Sequence, residues 1–169
     1  AYGCYHLINY PISARAERWL LDRLPGIEEP LIWLLLRQGA LELGYDGAAV
    51  APLRAEPIYF EEQRLPGRDL VEFVFTGNQV FEMLFLTGAI QPARGGVLLL
   101  LFGAIPRAIE ADRIVQIMHG ALDAETIARD HPFQMPPDDA DDDCIRQFRA
   151  FFHAMYTAWR LRVPLGLDV

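Results

Sequence analysis

Side chains able to do chemistry are few in this chain, and they form no known catalytic motif. All 15 basic residues are Arg, so lysine is absent and any chemistry that needs a lysine amine is excluded. His119, His131 and Asp130 lie nearest to one another in sequence, and an imidazole with a carboxylate can act as a general base or bind a metal. Their spacing is not that of a helical ligand pair. We therefore predict no catalytic residue, no metal site and no cofactor.

An acidic run before the last predicted helix suggests calcium, but its spacing is wrong. A calcium loop of the EF-hand type requires a Gly at its sixth position and a Glu at its twelfth. Counted from Asp139, these positions hold Cys144 and Ala150. The acidic residues are better placed to stabilise the positive end of the helix that follows. They also disfavour a reactive thiolate at Cys144.

The remaining reactive groups have simpler interpretations. Ser13 is the only serine, lacks the Gly-x-Ser-x-Gly pattern of a hydrolase nucleophile and is predicted to cap a helix. Glu61 with Glu62, or Glu72 with Glu82, could work as a carboxylate pair only if the two groups meet in space. A hydrolase that uses His and carboxylates is therefore kept as an alternative function, together with a small-molecule-binding domain.

One polar pattern on the predicted last helix passes a geometric test. At about 100° per residue, its basic side chains fall on a narrow stripe beside the aromatic face of the helix. The simplest interpretation is a solvated helix edge; the alternative is a docking surface for an acidic or mixed apolar protein surface, since Arg and aromatic residues dominate interface energies. The candidate partner-binding residues, called the stripe below, are Arg146, Arg149, His153, Tyr156, Trp159 and Arg160.

Composition excludes several classes of partner. The net charge of −8 opposes binding to nucleic acid and to anionic membranes. Hydrophobic residues make up 52% of the chain, yet no apolar run approaches the ~20 residues of a membrane span. The two cysteines, Cys4 and Cys144, require no disulfide, although pairing between them is left open. A reducing cytoplasm is the simpler prediction.

The stretch from Leu70 to Phe102 is predicted to form the central sheet. Residues 70–76 and 79–86 are rich in β-branched and aromatic side chains, and Gly77-Asn78 between them suits a type II′ turn. The run Val97–Phe102 shows no alternation, which is typical of a strand buried on both faces, and we prefer this to a short buried helix. Residues 31–36 fit a helix or a buried strand equally well.

Capping and spacing signals predict the other elements. We expect a strand over 5–10, a helix over 14–24 capped by Ser13, mostly irregular structure over 39–57 and an edge strand over 58–62. A turn over 65–68, a helix from Pro106 to Met118, a short helix after Asp123 and a long amphipathic helix over 141–161 complete the chain. The predicted fold is α+β, or α/β, in one domain over 1–169, with a mixed sheet of about four to six strands and three main helices.

High hydrophobicity, acidic charge and a poverty of nucleophiles together favour an interaction protein over an enzyme. The predicted function is non-catalytic protein–protein interaction, of the adaptor, chaperone or toxin-inhibitor (immunity) type, through an apolar surface and the stripe. The predicted partner is another protein rather than nucleic acid or membrane, and a homo-oligomer is possible.

Overall fold

Helices dominate the fold. The computed structural model describes residues 4–61, 65, 67–70, 73–86 and 88–168. The strands are β1 (Cys4–Leu7), β2 (Arg68–Leu70), β3 (Phe73–Phe75) and β4 (Leu165–Asp168). The helices are α1 (Ala14–Asp22), α2 (Pro30–Leu43), α3 (Gly77–Phe85), α4 (Pro92–Leu101), α5 (Ala111–Met118), α6 (Ala124–Asp130) and α7 (Asp143–Leu161). A single 3₁₀ turn spans Leu53–Ala55.

The chain mixes helix and sheet as predicted, but the predicted central sheet of four to six strands is wrong. In the described ranges the strands form two separate pairs: β1 with β4 in parallel, and β2 with β3 antiparallel. The prediction of three main helices is also wrong, since the same ranges contain seven. The first strand was expected, whereas its partner β4 was not. Of the expected edge strand over 58–62, residue 62 lies outside the described ranges, and the described residues 58–61 form a single bridge, between Phe60 and Ile12.

The predicted hairpin around Gly77-Asn78 is wrong because this dipeptide begins helix α3. Thr76 and Gln79 form a capping box: the Thr76 side chain accepts from the Gln79 backbone N–H, and the Gln79 side chain accepts from the Thr76 backbone N–H. Two otherwise orphaned donors are thereby satisfied, and the helical start outweighs the β preference of the flanking residues. Of the first predicted strand, Leu70 ends β2 and Phe73–Phe75 forms β3, whereas residues 71 and 72 lie outside the described ranges.

The predicted strand over Val97–Phe102 is also wrong, since Val97–Leu101 lies in helix α4. Pro92 occupies the first turn, where its missing N–H costs nothing. Leu98, Leu99, Leu100 and Leu101 are all buried. A helix buried on all sides shows no amphipathic period, so its sequence resembles that of a buried strand.

The ambiguous run 31–36 is helical. It belongs to α2, which starts with Pro30 in its first turn and ends at Gly44 in the left-handed conformation, with φ of 69°. The region 39–57 was expected to be mostly irregular, yet α2 extends to Leu43. Helix α5 begins at Ala111 rather than near Pro106, and it ends at His119-Gly120 as predicted.

Two helix starts match their predicted caps, since the side chain of Ser13 accepts from the Ala16 N–H and that of Asp123 accepts from the Thr126 N–H. Asp142, which was not predicted as a cap, accepts from the Ile145 N–H at the start of α7. The long last helix is confirmed as α7. Its predicted apolar face is buried throughout and consists of Ile145, Phe148, Phe152, Met155, Tyr156 and Trp159.

Helices α4 and α7 form the centre of the core. Two buried glycines of α4, Gly95 and Gly96, lie against α7. A methyl group on Gly96 would come within 2.8 Å of Trp159 Cε2 and of Ile117 Cγ2. The absence of side chains at these two positions therefore sets how closely α7 packs on α4.

Candidate functional sites

The stripe is only partly available to a partner. Arg149 bonds both oxygens of the buried Asp141, with Nη2 to Oδ1 at 3.1 Å, and its guanidinium lies 5.2 Å from the centre of the Trp19 ring. The hydrogen bonds from Arg149 hold the pKa of Asp141 below its usual value. Arg146 is exposed but bonds the Asp141 carbonyl and the Asp143 carboxylate. Both cations are thus used within the chain.

The aromatic members of the stripe lie inside the fold. Tyr156 is 7% exposed and Trp159 is 3% exposed, so neither presents a surface to a partner in this conformation. Arg160 is exposed over the Tyr156 ring, at 5.8 Å from its centre, and His153 is exposed edge-on to Phe133.

A shallow groove of about 390 Å³ lies between α7 and the loop 133–137. Its apolar wall includes Phe133, Met135 and Pro137, and its other wall includes Arg146, Arg149 and His153. The structure therefore brings three stripe residues together at one groove. Arg160 and the two buried aromatic residues do not contribute to it.

The histidine and carboxylate candidates do not converge. His119 is exposed, whereas His131 is buried against the Trp159 ring at 6.0 Å between ring centres. Asp130 pairs with Arg129 at 2.7 Å and with Arg113 at 3.6 Å. Within the described ranges, no group of three metal-ligating side chains comes together. Glu62 and Glu72, members of the two predicted carboxylate pairs, lie outside those ranges.

His131 predicts a dependence of stability on pH. Neither of its ring nitrogens has a hydrogen-bond partner among the described residues, and burial, with a smaller effect of Arg113, lowers its pKa below 6.5. The unfolded chain then binds a proton more readily than the folded one, so stability is full above pH 6.5 and falls as the pH drops below it. Urea denaturation at pH 7.5 and 5.5 measures this loss.

We expect His131→Leu to show a smaller loss of unfolding free energy between these two pH values than the wild type. His119→Gln is the matched control, because its imidazole is exposed in the folded chain. It should keep the wild-type difference. An unchanged difference in His131→Leu would show that other groups, such as half-buried His6, set the pH dependence.

The two cysteines are unpaired thiols, and Ser13 and Cys144 make contacts that join separate parts of the chain. Cys4 and Cys144 are not bonded to each other, and the Cys144 thiol donates to the Pro11 carbonyl at 3.3 Å. The Ser13 hydroxyl donates to Asp142 Oδ2 at 2.8 Å while it caps α1. Ser13 thereby links the N-terminal ends of α1 and α7, which is a structural role.

Helix α2 carries an exposed apolar row that the sequence interpretation missed. Leu31, Leu34 and Leu41 are 39%, 51% and 58% exposed, and their spacing of three and seven residues places them on one side of the helix. We call this row the α2 face. Only Ile32, Leu36 and Ala40 of α2 are fully buried. Contiguous exposed apolar surface of this kind is typical of interaction sites.

An apolar groove adjoins the α2 face. It measures about 540 Å³ and lies between α2 and α4. Gln38 and Glu42 lie beside the exposed row on the helix and also line the groove, so the two features are continuous. Its apolar lining includes Leu35, Leu36, Leu43, Val97, Leu101 and Met118.

Polar groups at the groove are held in place by the fold. Arg94 donates to the Tyr45 hydroxyl and to the Met83 carbonyl at 3.1 Å, and the Gln38 side chain donates to Glu42 at 2.6 Å. A sequence signal for this site was present, because α2 carries apolar residues around nearly its whole circumference. The core of the domain can bury only one side of such a helix, so the apolar residues on the other side are left for another contact.

No family model matches the chain, and comparison with curated proteins and with solved structures found no similar protein. Among the described residues, no helix combines the length and the apolar character that a membrane span requires.

Proposed function

We propose that this protein is a non-catalytic interaction protein that binds an amphipathic helix of another protein on the α2 face and groove. The observation that carries the proposal is the row Leu31, Leu34 and Leu41, which is exposed beside a groove already lined by apolar side chains. A helix that presents apolar residues at intervals of three and four positions fits such a surface. Burial of these leucines would supply the free energy of binding.

Charge favours a different protein over a second copy of this chain. The net charge of −8 makes two copies repel each other. Glu28, Glu42 and Asp46 are exposed near the ends of α2, whereas Arg37 lies over the Trp33 ring. The proposed partner helix therefore has an apolar face flanked by basic residues, which makes its surface mixed rather than acidic.

The stripe is the second proposed contact. Its exposed members Arg146, His153 and Arg160 retain the predicted role toward an acidic surface, and the groove of about 390 Å³ beside two of them supports it. A small apolar molecule is the second candidate ligand for the α2 groove, since pockets of ~300–1,000 Å³ are of ligand size. Native mass spectrometry of the purified protein would detect a retained molecule.

Charged substitutions on the α2 face should abolish partner binding without unfolding the chain. The test is capture from the native host with immobilised protein, followed by affinity measurement on the purified partner. For Leu34→Asp with Leu41→Asp we expect at least about a 100-fold loss of affinity, because each buried leucine contributes about 1.4 kcal/mol or more. Unfolding curves should stay close to wild type, since both side chains are exposed.

Ile58→Asp with Leu161→Asp is the matched control, because these side chains are 67% and 63% exposed and lie off α2. It should bind as the wild type does. If Arg146→Gln with His153→Gln loses the partner while the α2 variant still binds it, the partner binds at the stripe and not on the α2 face. If the wild-type protein forms a concentration-dependent dimer and the α2 substitutions dissociate it, the occupant of the α2 face is a second copy of this chain rather than another protein.

A further inference from the structure

A further cleft lies where the C-terminal ends of α1 and α4 meet, and it is separate from the two grooves described above. It measures about 570 Å³. Its accessible apolar surface comes from Trp19, Pro106 and Ala108, and its charged groups are Asp22, Arg23, Glu29 and Arg107. No residue of this cleft lines the α2 groove.

Arg107 is the structural cation of the cleft. It donates to the Leu100 carbonyl at 3.0 Å, to the carbonyls of Leu101 and Arg23, and to the Glu29 carboxylate at 2.7 Å. These bonds satisfy orphaned carbonyls at the ends of both helices. Arg107 and Glu29 thus neutralise each other, and neither is available for a ligand without loss of structure.

Arg23 differs from Arg107 because, among the described residues, no carboxylate is bonded to its guanidinium. Its guanidinium is half-buried and lies 4.4 Å from the centre of the Trp19 ring. Among the described residues, its side chain makes no ion pair and no hydrogen bond. Burial lowers the pKa of Arg23, the nearby cations Arg149 and Arg107 lower it further, and Asp141 raises it. The Asp141 carboxylate is bonded by Arg149, so the Arg23 guanidinium keeps its hydrogen-bond donors for a ligand.

We propose that this cleft binds a small organic oxyanion, with its carboxylate or phosphate on the Arg23 guanidinium and its apolar body against Pro106 and Ala108. The planar guanidinium can donate two parallel hydrogen bonds to such a head group. Stacking on Trp19 holds the donor in place before the ligand arrives, which reduces the entropic cost of binding. Asp22 is exposed, so water and salt screen its repulsion.

Three probes of similar shape test the charge requirement: benzoate, phenyl phosphate and the neutral benzamide. Binding is followed through the indole N–H resonance of Trp19, identified with Trp19→Phe, at constant ionic strength. We expect benzoate or phenyl phosphate to bind at least about tenfold more tightly than benzamide. The preferred head group distinguishes a carboxylate from a phosphate ligand. Equal binding of benzamide, or no binding of either anion, would overturn the proposal.

Arg23→Gln should weaken binding of the preferred anion at least about tenfold, because it removes the guanidinium that is proposed to bind the head group. Arg160→Gln is the matched control, since Arg160 also lies over an aromatic ring but outside the cleft. It should leave the affinity unchanged. Arg23→Lys keeps the charge without the planar donor pair, and we expect it to retain part of the affinity. Unchanged affinity in Arg23→Gln would overturn the site. If Arg23→Gln fails to fold, Arg23→Lys is the test, and full wild-type affinity in Arg23→Lys would overturn the site.

Discussion

Replacing Gly96 with alanine is expected to lower the free energy of unfolding by about 1–3 kcal/mol. Gly96 is buried in α4, and the added methyl carbon would lie 2.8 Å from Ile117 Cγ2, 2.8 Å from Trp159 Cε2 and 2.9 Å from Trp159 Nε1. These distances are far shorter than the 3.5–4.0 Å of a good carbon contact. Either α4 and α7 must separate, or the Trp159 ring must leave its position in the core. Chemical denaturation measures the loss.

Gly39→Ala is the matched control, because Gly39 also lies inside a helix but a methyl group there meets nothing within 4 Å. We expect this substitution to raise the free energy of unfolding by about 0.5–1 kcal/mol, through the better helix propensity of alanine. If Gly96→Ala lowers the free energy of unfolding and Gly39→Ala raises it, the loss at Gly96 comes from packing and not from helix propensity. The same stabilisation in both would show that α7 does not pack closely on Gly96.

The sequence was informative where an element lies at the surface and less so where it lies in the core. Helix α7 could be predicted because one side is buried and the other solvated, so apolar residues recur with the helical period. Helix α4 could not, since it is buried on nearly all sides and its leucine run has no period. The Thr76 to Gln79 capping box of α3 was present in the sequence, but the turn preference of Gly77-Asn78 was given more weight.

The candidate sites show the same limit. Spacing correctly placed Arg146, Arg149 and His153 on one side of α7, and these residues do line a common groove. Spacing could not reveal that Arg149 is occupied by Asp141, because that pairing depends on how the preceding loop folds back. The α2 face was missed since a leucine-rich run was taken to be buried, in either a helix or a strand. Which leucines of α2 are exposed depends on how the other helices pack around α2, and the sequence of α2 alone does not contain this information.

Gly77 has a different structural role from the one that a hairpin turn would have given it. Gly77 is the first residue of α3, and its Cα lies next to the Glu17 carboxylate. A Cβ atom would overlap Glu17 Oε1 and come within 2.7 Å of Arg54 Nη2. The glycine therefore makes room for a buried ion pair rather than for a turn.

Removal of one partner of this pair is expected to cost about 3–5 kcal/mol of unfolding free energy. Glu17 is 2% exposed and Arg54 is 7% exposed, and two parallel hydrogen bonds join them, with Arg54 Nη1 to Glu17 Oε2 at 3.0 Å. Arg54 Nε also donates to Asn78 Oδ1, so the pair ties α1 to α3. Glu17→Leu leaves the guanidinium charge buried without its carboxylate, and Arg54→Met leaves the carboxylate without its cation. Equilibrium denaturation measures each variant.

The double variant Glu17→Leu with Arg54→Met decides whether charge or packing causes the loss. Apolar residues of similar volume often replace a buried ion pair at little net cost, so we expect the double variant to be more stable than either single variant. Asp143→Asn is the control for an exposed pair, since Asp143 and Arg146 are 87% and 53% exposed in their side chains, and its cost should stay within about 1 kcal/mol. Additive losses in the double variant would mean that the two side chains stabilise the core independently. In that case the space at Gly77 accommodates two independently packed side chains, and the attraction between the Glu17 and Arg54 charges does not stabilise the fold.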